Sequence, residues 1–192
     1  MEPNTVSRWL TWPVIIGIII VLVLGYGASK YNGFVRSNEG IDTQWAQVES
    51  QYQRRFDLIP NLVNSVKGAM AQEKAVFDAI AEARTRYSGA STAEGRAAGA
   101  AQVESALGRL LVVMENYPQL KSIDTVQSLI AELAGTENRI AVERMRYNET
   151  VREYNIRVKS FPGSFIASMF GFGPRTMFEA VTGAEVAPTV SL

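Results

Sequence analysis

The chain has 192 residues, 47% of them hydrophobic and 20% charged, and its 19 basic and 19 acidic side chains cancel. That length suits one domain with an anchor or tail, and without a Lys/Arg-rich run it carries no electrostatic footprint for nucleic acid. Cysteine and histidine are both absent, which excludes disulfides, thiol catalysis, zinc ribbons, Ser-His-Asp arrangements and HExxH sites. Only carboxylate pairs, lysine, tyrosine or an all-oxygen Mg/Ca site remain as catalytic routes, and no cofactor is expected.

No charged residue occurs between Arg8 and Lys30. Val14 to Leu24 is apolar apart from Gly17, and Trp9, Trp12 and Tyr26 mark the edges. About 20 apolar residues with flanking Trp and Tyr make a membrane-spanning helix, here residues 9–29 in contact with the lipid bilayer. A cleaved signal peptide is the competing reading. Against it, the exit Gly25-Tyr26-Gly27-Ala28-Ser29 lacks a clear small-x-small site followed by a polar start. Arg8 on one side and Lys30 with Arg36 on the other barely orient the span.

Gly33 and Ser37-Asn38-Glu39-Gly40 are expected to loosen the chain and start a new helix. From there an apolar stripe in steps of three and four runs Ile41, Trp45, Val48, Tyr52, Arg55, Ile59, Leu62, Val66, Ala69, Glu73, Val76, Ile80, Ala83, Tyr87. It predicts one long helix of about 70 Å, bent at Pro60 and Gly68. Ser88 to Gly95 is a small, polar loop. A second helix carries Val103, Leu107, Leu110, Met114 and Tyr117, and Pro118 ends it at Asn116-Tyr117. A third starts near Ser122 or Asp124 and carries Val126, Ile130, Leu133, Glu137, Ile140, Arg144, Tyr147, Val151, Tyr154, Val158 and Phe161, until Pro162-Gly163 stops it.

The predicted fold is therefore all-α: an N-terminal single transmembrane helix followed by an elongated antiparallel bundle of three to four long helices. The domains are a tail and anchor (1–30), a bundle (31–160), and a Phe-rich C-terminal flap and tail (161–192). This last segment holds five of the eight phenylalanines. Phe165, Ile166, Met169 and Phe170 fit one face of a short helix. It is read as folding back to cap the apolar end of the bundle, with partner or membrane contact as the alternative. Residues Gly183 to Leu192 are read as frayed.

The candidate site residues are the polar breaks in the stripes. Arg55, Glu73, Glu137 and Arg144 form either a socket for a ligand or a structural lock in which the charges pair across helices. The lock is preferred, because a lone charge in a core costs several kcal/mol while paired charges set register cheaply. Arg55 is expected to meet Glu137, and Arg144 to meet Asp57 or another carboxylate. Pro60 removes the helical donor to the Phe56 carbonyl, and Asn61 or a nearby arginine is expected to replace it. A metal site at Asp57, or an acid/base pair at Glu132 and Glu137, lacks supporting spacing or an obvious cleft. Tyr147-Asn148 and Tyr154-Asn155 repeat at seven residues on one face, with the tyrosines in the core.

Tyr31-Asn32, QRRFDLIPNLV at 53–63 running into Val66-Lys67-Gly68, Glu82-Ala83-Arg84, Tyr117-Pro118-Gln119-Leu120-Lys121, Thr136-Glu137-Asn138-Arg139-Ile140, Arg144 with Tyr147-Asn148, Tyr154-Asn155 and Phe161-Pro162 together resemble the LemA family. The match runs in order from about Val14 to Phe178. The resemblance implies a bacterial, single-pass inner-membrane protein with a helical bundle outside the bilayer, and it transfers no catalytic set. It also implies an accessory role beside membrane proteins, membrane proteases among them. The function expected is a non-enzymatic scaffold or adaptor working through helix-mediated contact, self-assembly included, with the bundle on the extracytoplasmic side. The alternatives are a membrane-surface sensing or remodelling module and, in a different class, a carboxylate or oxygen-ligated-metal enzyme.

Overall fold

The computed structural model describes residues 6–178, with side chains described for 12–120 and 122–178. The frayed end expected at Gly183 to Leu192 lies outside the described residues. The helices are α1 (Val6–Val66), α2 (Lys74–Gly89), α3 (Ala93–Met114), α4 (Asp124–Lys159) and α5 (Gly163–Met169), with a 3-10 turn at Pro118–Ser122. Among the described residues there is no strand, so the chain is all-α.

Two expectations about helix ends are corrected. The chain does not restart after residue 33: α1 passes unbroken through Gly33 and Ser37-Asn38-Glu39-Gly40. Each helical glycine costs only about 1 kcal/mol. Burial of Phe34 and Ile41, 3% and 0% exposed, is worth about 1.5–3 kcal/mol per side chain and outweighs that loss. Nor does one helix reach Tyr87. α1 contains Pro60 and ends at Val66, a turn covers residues 67–72, and α2 begins at Lys74. Within the turn, the Ala69 and Met70 N–H groups both donate to the Val66 carbonyl and the Glu73 N–H donates to that of Met70. The stripe continued through Ala69, which is exposed, whereas its neighbour Met70 is completely buried. The apolar rhythm across 66–73 was thus a coincidence of spacing, and the chain turns there to seat Met70.

The chain divides into two compact units. Residues 44–146 form the first to describe. Here the later part of α1, α2, α3 and the first part of α4 bury Val48, Tyr52, Phe56, Ile59, Leu62, Val66, Ile80, Val103, Leu110, Met114, Val126 and Ile140. α2 and α3 form a close hairpin. Thr92 caps α3 by accepting from the Gly95 N–H at 3.0 Å. At Gly99 a Cβ would stand 2.8 Å from the Tyr87 Cα, so only glycine lets the two backbones approach this closely. The rings of Phe56 and Tyr87 then meet edge to face at 4.3 Å.

The other unit comprises residues 1–43 and 147–192. Its described core is Phe34 and Ile41 of α1, Tyr147, Val151, Tyr154 and Val158 of α4, and Ala167 of α5. Every side chain from Trp12 to Tyr26 is exposed, and this stretch of α1 is long and apolar enough to cross a membrane. α3 passes the same length and composition test, but it buries Val103, Leu107, Leu110 and Met114 in the 44–146 unit.

Candidate functional site

The polar centre of the 44–146 unit forms around Arg55, which α1 places among apolar neighbours at 2% exposure. Its Nη2 pairs with Glu137 of α4, and its Nη1 lies 3.8 Å from Glu104 of α3. One cation thus ties three helices. The two carboxylates are themselves about half exposed, so only the arginine is fully desolvated. Burial pushes the Arg55 guanidinium below its ordinary value, Glu104 pulls it back up, and the like charge of Arg144 adds to the lowering. Tyr52 lies in the same field: burial raises its hydroxyl, against the pull of Arg144 and Arg55.

Arg55, Glu104 and Glu137 line a cleft of about 250 Å³, whose remaining wall includes Leu62, Leu107, Leu111 and Leu133. Arg144 is half-buried. Asp57 is exposed and accepts from Gln53 Nε2 at 2.8 Å. Pro60 is half-buried within α1. Asn61 is exposed, and its carbonyl accepts from Ser65 Oγ at 2.8 Å. Glu73 precedes α2 and accepts from the Tyr117 hydroxyl at 3.0 Å, which raises the tyrosine's pKa. Sequence reasoning missed Glu104, because it falls outside the apolar stripe of its helix. It missed equally the pairs of Arg54 with Glu132 and Arg96 with Glu49. Among the described residues no group of three or more acidic side chains is gathered for a metal ion.

The second unit holds an arrangement that the sequence announced only as a repeat. Asn155 Nδ2 donates to the Arg175 carbonyl and its Oδ1 accepts from the Arg175 N–H, both at 2.8 Å. Asn148 does the same with Phe178, at 3.0 and 2.7 Å. Seven helical residues rise about 10.5 Å, and three residues of near-extended chain cover about 10 Å. The seven-residue Tyr-Asn spacing therefore matches the three-residue spacing of the tail. The Tyr147 hydroxyl adds a bond to the Thr176 carbonyl at 3.3 Å, and its ring meets Phe178 at 5.1 Å. Arg175 also pairs with Asp42. Nothing in the tail sequence signals a helix or strand that would have revealed this docking.

The tail phenylalanines divide into two groups. Phe172 packs against Tyr31 and Phe34, with ring centroids at 5.6 and 5.4 Å. Phe165, Met169 and Phe170 are exposed, as is Phe161, while Ile166 is half-buried. All five line an apolar groove of about 670 Å³ with Val23, Leu24, Tyr26 and Tyr31 of α1.

An all-α chain with a candidate transmembrane helix, a three-helix ion-pair centre and a tail held on paired asparagines defines a membrane-type helical bundle. Family comparison matches residues 44–192 to the LemA family; the chain belongs to that family. Its curated relatives include magnetosome proteins MamQ 1 and MamQ 2 of Paramagnetospirillum magneticum. Each is 28% identical to it, over 78% of this chain and 65% of theirs. Magnetosome protein MamQ of Magnetospirillum gryphiswaldense is 26% identical, over 74% of this chain and 62% of its own. The chain thus spans a little under two thirds of the length of these relatives.

Proposed function

We propose that the chain is a non-enzymatic scaffold or adaptor of a bacterial inner membrane, anchored by residues 9–29, with its bundle on the extracytoplasmic side. The observation that carries this reading is α1 itself. A single helix begins as an exposed apolar segment of membrane-crossing length and goes on to supply core side chains of the bundle. Anchor and bundle are then one element, an economical way to present helix surfaces beside a bilayer. The relatives are named for a cellular structure and not for a reaction, which supports a structural role over a catalytic one. In the 44–146 unit the charged centre works as a lock: the buried Arg55 cation is offset by the carboxylates of Glu104 and Glu137, and the contacts join three helices.

The outward surface retains apolar side chains for partners, notably Val112 at 66% and Met145 at 65% exposure. These fit membrane proteins, proteases among them, or further copies of the chain. A photocrosslinking amino acid at Val112 or Met145 of the full chain, activated in intact membranes, is expected to give adducts of defined mass. Mass spectrometry should identify these as membrane proteins or as a second copy. Uncrosslinked chain at both positions would count against the scaffold.

A further inference from the structure

The groove beside α5 begins where the apolar segment of α1 ends. Between Arg8 and Lys30 the uncharged helix rises about 32 Å, against roughly 30 Å of bilayer hydrocarbon. With that segment across a bilayer, Val23 and Leu24 stand about 7–9 Å inside the hydrocarbon edge and Tyr26 closer to it. Lys30 lies about 9 Å beyond Leu24, among the headgroups. At the same groove Phe161, Phe165, Met169 and Phe170 are 88%, 66%, 62% and 53% exposed. Among the described residues no charged side chain lines it.

A second cavity, of about 480 Å³, shares Phe161 and Pro162 with the first as a common wall. Its polar lining includes Lys30 and Arg157 with the hydroxyls of Ser29 and Ser160, and among the described residues no carboxylate. Arg157 gives one N–H to Ser37 Oγ at 2.9 Å, and a guanidinium carries further N–H groups in a geometry that suits phosphate oxygens. Lys30 Nζ lies 5.4 Å from the Tyr26 ring centroid, on the rim between the apolar and cationic regions.

We propose that these two cavities together bind an anionic phospholipid, its acyl chains in the groove and its phosphate between Lys30 and Arg157. α5 is then a second membrane contact, in the leaflet from which α1 emerges. Charge complementarity and the continuity of the groove with the apolar segment select lipid as the occupant. The proposal rests on the anchoring reading given above and is tested so that the two fail separately.

The native chain has no cysteine, so nitroxide labels placed by Ile18→Cys and by Phe165→Cys report unambiguously. The full chain is reconstituted in phosphatidylcholine vesicles with and without phosphatidylglycerol. Both labels are expected to be accessible to oxygen and shielded from a water-soluble nickel chelate, the Phe165 label at the shallower depth. Spin-labelled phosphatidylglycerol should associate with the unlabelled protein roughly three- to tenfold better than phosphatidylcholine. Lys30→Gln with Arg157→Gln should bring that ratio close to one. A water-exposed Phe165 label beside a lipid-buried Ile18 label overturns the lipid site and leaves the anchor standing. Two water-exposed labels overturn the anchor, and the site with it. Dipolar coupling between Phe165 labels on different chains, with shielding from both reagents, puts a second copy in the groove and overturns the proposal. A lipid-buried Phe165 label with no preference for phosphatidylglycerol, or with a preference that survives the double substitution, overturns the phosphate assignment.

Discussion

Arg55 shows how one residue can be legible in sequence while its surroundings are not. Its place in the apolar stripe, midway between Tyr52 and Ile59, marks it for burial, and a buried guanidinium demands carboxylate partners. Glu137 was identifiable because it too interrupts a stripe. Glu104 was not, since a partner that reaches in from a half-exposed position leaves no trace in the apolar period. The arrangement has an energetic consequence. Glu104 stays close when Glu137 is removed, and both acids keep contact with water, so the loss is smaller than for a fully buried pair. In a double-mutant cycle of Arg55→Met and Glu137→Gln, followed by urea unfolding of the full chain in detergent, the coupling is expected to be about 1–2 kcal/mol. Additive effects would mean that the pair does not act as a lock.

At the scale of elements, local signals and tertiary packing competed, and packing won at three places. Gly33 and Gly40 favour a break, yet α1 continues, and a Cβ at either position would meet nothing within 4 Å. These glycines therefore serve no close approach and only weaken the helix locally. Between Val66 and Lys74 the opposite happened: a continuous stripe concealed a turn, because periodicity counts apolar residues without knowing which of them reach a core. The Tyr-Asn repeat was legible as a spacing but not as a clamp, since its partners are backbone groups of Arg175 and Phe178, which carry no side-chain signature. Each asparagine supplies both a donor and an acceptor, so removing one leaves two backbone groups of the tail without their partners. Asn155→Ala is expected to cost about 1–3 kcal/mol and to speed hydrogen exchange at the Arg175 amide well before it affects the helix cores. Unchanged exchange at Arg175 would show that the tail is held by its ring contacts alone.

At the scale of the whole molecule, topology turns on a span whose flanking charges nearly balance. Ser122 is exposed at the end of the 3-10 turn that precedes α4, and Ser122→Cys gives the otherwise thiol-free chain a single reporter. Modification by a membrane-impermeant maleimide added outside intact cells is the expected result. Labelling only after lysis would put the bundle in the cytoplasm. The sequence by itself determined the all-α class, the candidate span, the family and the buried cation at Arg55, because each of these is written in composition, period or motif. Tertiary structure decided where α1 stops, which second carboxylate meets Arg55, and how the tail divides between packed and exposed phenylalanines. Those outcomes depend on which side chains meet across helices distant in sequence. QRRFDLIPNLV thus announces a buried cation, and only the packing of α3 and α4 against α1 supplies the acids that hold it.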